Sequence, residues 1–352
     1  MVADRFPAVL RQRLDQYFTD RNLSPKANGL MTLKIVLGLL LWAGTYLSLY
    51  VFHLDSWAFF AIYILHGLGH TFLVLNVAHD SNHNAISNKF AVNRALSYVF
   101  DLCGVNSYMW RILHHRGHHS CVNIHGEDEA ISGRRMIFRF SAHAPRVWVH
   151  RFQHVYALAF YAFFSLDYVF FKDFEYYFIP EVKTLRREHH PAHELLLLFG
   201  GKLFYYTYML ILPVVVLGRT PALVGLSFLA AHLVAGLCMV IVFQTSHALD
   251  ESAFPTRRHE YGHYIYHILA TTADYGTESP LTTFLVGGLN HHVAHHLCPQ
   301  ASHTHYPKLT RIIRQTAREY GVTYREHQSI WEALGHHMKL LRQLGREAEG
   351  TV

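Results

Sequence analysis

Four apolar stretches, paired into two hairpins, restrict this chain to a fold that crosses a membrane. A spanning helix takes ~20 mostly apolar residues, because hydrocarbon offers no partner to an unpaired backbone group. The stretches run from about residue 30 to 52, 57 to 78, 195 to 217 and 222 to 244. The first contains one charge, Lys34, near its start; His66 and His70 interrupt the second, one turn apart. The links between partners, His53 to Ser56 and Gly218 to Pro221, have room only for a turn. Charged residues make up 16% of the chain, against ~25% in soluble domains, which agrees with a membrane-embedded fold.

The charges orient the hairpins. Arg5, Arg11, Arg13, Arg21 and Lys26 precede the first span, whereas the two tight links hold only Arg219. The positive-inside rule then puts both termini and the long central segment in the cytoplasm. The net charge of +6 is scattered, which fits a membrane surface and not nucleic acid. The polar start of the chain shows no signal-peptide pattern. Cys103, Cys121, Cys238 and Cys298 form no Cys-x-x-Cys, which argues against a zinc ribbon or disulfide framework and for a reducing compartment. The aromatic stretch Val155 to Phe174 reads as an interfacial amphipathic helix, as does Phe90 to Val105. Beyond Pro307 the chain is polar, with apolar residues at helical spacing. The expected fold is therefore an all-α integral membrane protein, four transmembrane helices in two hairpins under a cytoplasmic helical cap. Its parts are a cytoplasmic segment (1–29), a membrane domain (30–315) and a cytoplasmic helical tail (316–352).

The histidines carry the chemistry. His-x-x-His-His occurs twice, as His115, His118, His119 and as His292, His295, His296. With 30 histidines in 352 residues, chance supplies ~0.2 such matches, so two are informative. A third cluster, His79 and His83, has a spacing that chance produces roughly twice, and its position gives it weight. Residues three and four apart share a helix face, so each set aims its imidazoles at one point. An even number of crossings separates the three sets, so all emerge on one membrane face. Together they exceed the four ligands of a zinc ion. They suit two metals of higher coordination number, and iron is the natural choice for nitrogen-rich sites that leave room for dioxygen.

The flanking residues carry a resemblance. Asn76-Val77-Ala78-His79-Asp80-Ser81-Asn82-His83 and Trp110-Arg111-Ile112-Leu113-His114-His115-Arg116-Gly117-His118-His119, followed by Asn123 and Gly126, resemble the membrane fatty acid desaturases. So do Phe243-Gln244-Thr245-Ser246-His247, Thr271-Thr272-Ala273-Asp274 and Gly287-Gly288-Leu289-Asn290. The branch they resemble is that of the linoleoyl-CoA or front-end desaturases, over roughly residues 30 to 315. The resemblance implies a di-iron site with His79, His83, His115, His118, His119, His292, His295 and His296 as ligands, and His247 as a further one. It implies O2 as co-substrate and a fatty acyl substrate carried on CoA, an acyl carrier protein or a phospholipid. Three departures stand out. His292 replaces the usual glutamine, and Ala294 replaces the usual acid before the last histidine pair. No His-Pro-Gly-Gly haem motif occurs, so electrons come from a separate redox partner, a ferredoxin or a b-type cytochrome.

Asp80, Asn123, Asp128 and His267 are candidates for orienting the ligands. His114 and His291 point ~100° away from their neighbours on an α-helix and read as lying outside the ligand set. His66 and His70 read as hydrogen-bonding to a neighbouring helix. His125, His143, His150, His154, His189, His190, His193, His303 and His305 share no face and are placed at the interface. Thr71, Tyr205, Tyr208 and Met239 are candidate channel liners. A hydroxylase or acetylenase on the same site, and more distantly a histidine-rich metal transporter, stay open as alternatives.

Overall fold

The computed structural model describes residues 5–132, 137–179 and 190–347; His189 lies outside them. Among the described residues four helices are long and apolar enough to cross a membrane: Gly29–Val51, Ser56–Asn82, Ala192–Val215 and Pro221–His247. Polar side chains start three of them. The Asn28 side chain accepts from Met31 N, Asp55 from Ala58 N, and Thr220 from Leu223 N with Pro221 following. Each cap satisfies an amide that the helix itself leaves unpaired.

The first span buries Met31, Lys34, Gly38, Thr45 and Leu49 and exposes Leu30, Leu33, Leu37, Leu40 and Leu47. An apolar outer face suits lipid. Small residues let helices approach closely: a Cβ on Gly67 would lie 2.9 Å from Ala231 Cβ of the fourth span. The two tight links meet, for Arg219 donates to Leu54 O at 2.6 Å. The hairpin tips therefore lie together, and the histidines leave the opposite ends.

The segment expected to lie at the interface does more. Trp148–Tyr161 and Phe164–Phe178 form a pair bent by 70°. The break docks on the fourth span: a Cβ at Gly236 would collide with Ala162 O. Ser165 Oγ lies 2.9 Å from His232 Nδ1 and donates to His232 O at 2.8 Å. Gly236 stands eleven residues before His247, roughly 16 Å along the helix at ~1.5 Å per residue. The pair thus enters the depth of the spans. It must return to its starting face, because the histidine sets on either side of it in sequence converge. Phe90 to Val105 likewise holds two short helices, Phe90–Ser97 and Val99–Leu102.

A helical cap closes the histidine-bearing end. Phe6–Thr19 buries Phe6, Leu10, Leu14 and Tyr17 against Leu309, Ile313 and Ala317 of Tyr306–Glu319. The segment expected as a tail is built in. Its helix Ile330–Leu344 carries His337, whose Nδ1 donates to Ala248 O and whose Nε2 meets Tyr161 Oη, both at 2.7 Å. Two residues of parallel strand, Asp274–Tyr275 with Glu326–His327, join the cap to the segment after the fourth span.

Candidate metal centre

His79 and His83 stand at the end of the second span, just after a π turn over Val74–Ala78. The helix Ser107–His114 runs into a second π turn, His115–His119. The short helix His292–Leu297 brings the third set, and His247 ends the fourth span. These elements gather their imidazoles into two groups. His79, His83, His114 and His295 form one; His118, His247, His292 and His296 form the other. His119 joins His295 and His296 between them, and donor atoms within each group lie within 4.8 Å of one another.

The spacing fits bound cations. His119 Nε2 lies 3.0 Å from both His114 Nε2 and His295 Nε2, and His114 Nε2 lies 3.0 Å from His83 Nε2. In the other group His247 Nε2 is 3.2 Å from His118 Nε2 and 3.1 Å from His296 Nε2. Two nitrogens bound to one ion at right angles, with bonds of ~2.1 Å, stand ~3.0 Å apart. A neutral imidazole has one N–H, so protons cannot satisfy so many facing nitrogens. His79 has both ring nitrogens buried without a hydrogen bond, as are His115 Nε2 and His296 Nδ1. Such orphans cost about 1–3 kcal/mol each, and a cation in the first group would satisfy one of the two on His79.

Burial, reinforced by neighbouring imidazoles, holds His83, His114, His119, His295 and His296 well below the ordinary histidine range. It lowers His115 to about 4 and His292 to about 3. These rings are neutral at pH 7, the form that ligates a metal.

A cavity of about 350 Å³ opens onto both groups, with His79 and His114 from one and His118, His247 and His292 from the other in its wall. The rest is mainly apolar, including Phe100, Ile131, Phe138, Phe160, Met239 and Phe243. Glu129, Asp167 and Lys172 add charge to the lining. Of the liners expected from sequence, Met239 is there. Tyr205 meets His232 Nε2 at 2.8 Å, and Tyr208 donates to Leu102 O, so these two pack the spans instead. Thr71 donates to Gly67 O within its own helix.

The fatty acid desaturase family model matches residues 55–328. The chain belongs to the fatty acid desaturase family. It is 32% identical to an sn-1 linoleoyl-lipid 6-desaturase of Synechocystis sp., over 97% of this chain and 96% of the relative. An sn-1 linoleoyl-lipid 6-desaturase of Arthrospira platensis is 30% identical over 98% of this chain and 94% of its own. An acyl-lipid (8-3)-desaturase of Physcomitrium patens is 30% identical over 97% of this chain and 72% of its own.

In this desaturase the structure redistributes several expected roles. His114, expected to point away, stands within the first group, whereas His115 belongs to none and packs its ring 4.5 Å from that of His83. The π turn is the reason. It closes i to i+5, which sets His114 and His119 on one face where α-helical counting does not. Asp128 receives His118 Nδ1, with both oxygens at 3.0 Å, and also accepts from Asn123 N and Ala130 N. Asn123, at φ 55°, staples backbone: its amide donates to His247 O, Ala253 O and Thr271 O. Asp80 lies 3.8 Å from His79 Nδ1, beyond hydrogen-bond reach, and instead accepts from His303 Nδ1 at 2.8 Å. His303 is thus buried, not interfacial, and its Nε2 meets Lys34 Nζ at 2.8 Å. His267 donates to Val122 O and touches no ring of the groups. His291 lies between Thr310 and Thr283. Within the spans His66 meets Thr45 Oγ1, and His70 meets Tyr208 Oη.

Asp274 is the positioning residue that the sequence reading left without a role. Its Oδ1 accepts from Val293 N at 2.8 Å, at the start of the last histidine helix, and Tyr324 Oη donates to its other oxygen. Burial pushes its carboxyl up to about 7. Its partners are that backbone amide and the tyrosine hydroxyl, so it fixes the helix and not an imidazole. The Thr271-Thr272-Ala273-Asp274 motif was the available signal.

Proposed function

We propose that the two histidine groups hold a pair of iron ions and that an acyl chain lying in the adjoining cavity is desaturated there, on the cytoplasmic side of the membrane. The family makes the chain a fatty acyl desaturase, an oxidoreductase of lipid metabolism, and its four spans make it a multi-pass membrane protein. The observation that carries the proposal is the shared cavity, whose wall contains histidines of both groups. Iron suits a nitrogen-rich donor set with room for a further ligand.

His79, His83, His114 and His295 would hold one ion and His118, His247, His292 and His296 the other, with His119 between them. Bound iron supplies the dioxygen-dependent removal of two hydrogens from adjacent carbons, with two electrons and two protons from outside, yielding an alkene and water. The protein's own part is positioning. The largely aromatic wall excludes water and fixes the chain beside the histidines, so the carbons nearest the histidine wall are the ones that react. Asp128 keeps the His118 proton on Nδ1 and leaves Nε2 for the metal. The relatives' names, acyl-lipid and linoleoyl-lipid desaturases, support a substrate chain carried on a lipid. The electrons come from a separate donor of the ferredoxin or b-type cytochrome kind. The excess of arginine and lysine before the first span supports the cytoplasmic placement.

Expression in a host of known lipid composition tests this, with mass spectrometry of derivatised acyl chains locating each double bond. A new alkene at one position is expected. A hydroxylated chain without new unsaturation, or an unchanged profile from iron-loaded protein supplied with a donor, overturns the reading. Within it, Asp128→Asn is expected to lower metal affinity ~10–100-fold with the helical content intact. Metal retained against graded chelator measures the loss.

A further inference from the structure

A second set of donors lies on the cap, outside the cavity. His327 of the short strand and Glu332 and His336 of the last helix bring ligand atoms within 4.8 Å of one another. Glu332 and His336 are four residues apart on that helix and share a face. His327 is 5% exposed; its Nε2 makes no hydrogen bond and stands 3.3 Å from Glu251 Oε1. The His327 and His336 ring centroids are 4.5 Å apart.

We propose that His327, Glu332 and His336, with Glu251 as fourth ligand, form a zinc-class site that clamps the C-terminal helix to the turn following the fourth span. Two imidazoles with carboxylates suit zinc, whereas calcium and magnesium prefer all-oxygen sets. Two donors on one tetrahedral ion with bonds of ~2.05 Å stand ~3.3 Å apart, the separation found between His327 and Glu251. His336 already has the outer partner that zinc-binding histidines use: its Nδ1 meets Asp250 Oδ1 at 2.6 Å, leaving Nε2 for the ion. Glu332 Oε2 accepts from Gln328 N at 2.6 Å, which leaves Oε1 for the ion. Lys339 also pairs with Asp250, which keeps that carboxylate outside the ligand set. Glu251 stands four residues after His247, so the ion would brace the end of the span that carries a histidine of the main centre.

The test uses the full-length, iron-loaded protein in detergent, so that added zinc is read apart from the main centre. Wild type and the double variant His327→Ala/His336→Ala are titrated with zinc against a chromophoric chelator. Wild type is expected to take up one more zinc per chain than the double variant, held against the chelator, with equal iron content. Equal zinc uptake by the two proteins overturns the proposal. If the double variant does not fold, the exposed Glu332→Gln decides: weaker zinc binding supports the site, and unchanged binding refutes it. Neither readout uses acyl-chain products, so the result stands whatever the lipid assay gives.

Discussion

Alanine at His118 or His295 is expected to reduce new unsaturation in host lipids by at least ~1,000-fold, the scale seen when one member of a unit acting together is removed. Each change deletes a donor from a group whose ligand atoms lie within 4.8 Å of one another. The metal then loses a ligand, and the remaining rings lose the ion that satisfies them. His295 belongs with His79, His83 and His114 and also with His119 and His296, so its loss is expected to empty more metal than the loss of His118. Elemental analysis of purified variants, beside acyl-chain profiles, measures both effects. His291→Ala is the matched control. Its ring is held by Thr310 and Thr283 and lies in neither group, so metal content should stay at the wild-type level. Full activity in His118→Ala would remove that ring from the catalytic centre.

The contrast between His114 and His115 shows what a sequence displays and what it hides. The four spans and the convergence of three histidine sets followed from apolar length and parity of crossings, properties summed over many residues. Which ring of an adjacent pair faces the metal depends on a single turn. The His115–His119 stretch winds as a π turn, and one step of i to i+5 changes which neighbours share a face. Composition does not announce such a turn. The bent pair at Ala162 was hidden for a related reason: its aromatics suit an interface equally well, and only Gly236 on a distant helix admits the backbone. Asp274 and Asp128 differ in the same way. Asp128 sits ten residues from the ring it orients and was legible, whereas Asp274 acts on a helix nineteen residues away, through a backbone amide.

Replacing Gly287 with alanine is expected to dismantle the centre without touching a ligand. Gly287 has φ 65°, in the left-handed region where a side chain costs about 1–2 kcal/mol. The steric conflict is worse. A Cβ there would collide with Leu75 O and lie 2.7 Å from Leu75 C, and both belong to backbone that cannot rotate aside. Leu75 lies in the π turn that leads into His79, and Gly287 lies five residues before His292. The glycine therefore sets the first and third histidine sets at their working separation. Asn76 reinforces the contact by donating to Leu285 O at 3.1 Å. An alanine must push the turn away from the second span, spreading His295 from His79 and His83 and His292 from the cavity. Circular dichroism should show helix retained, while metal content and desaturation fall to background. Gly225→Ala serves as the comparison, since a Cβ there meets nothing within 4 Å and its helix should accept it. Wild-type metal content in Gly287→Ala would mean that the two backbones do not meet at this glycine, and that the third histidine set is held in place by Asp274 and the cap alone.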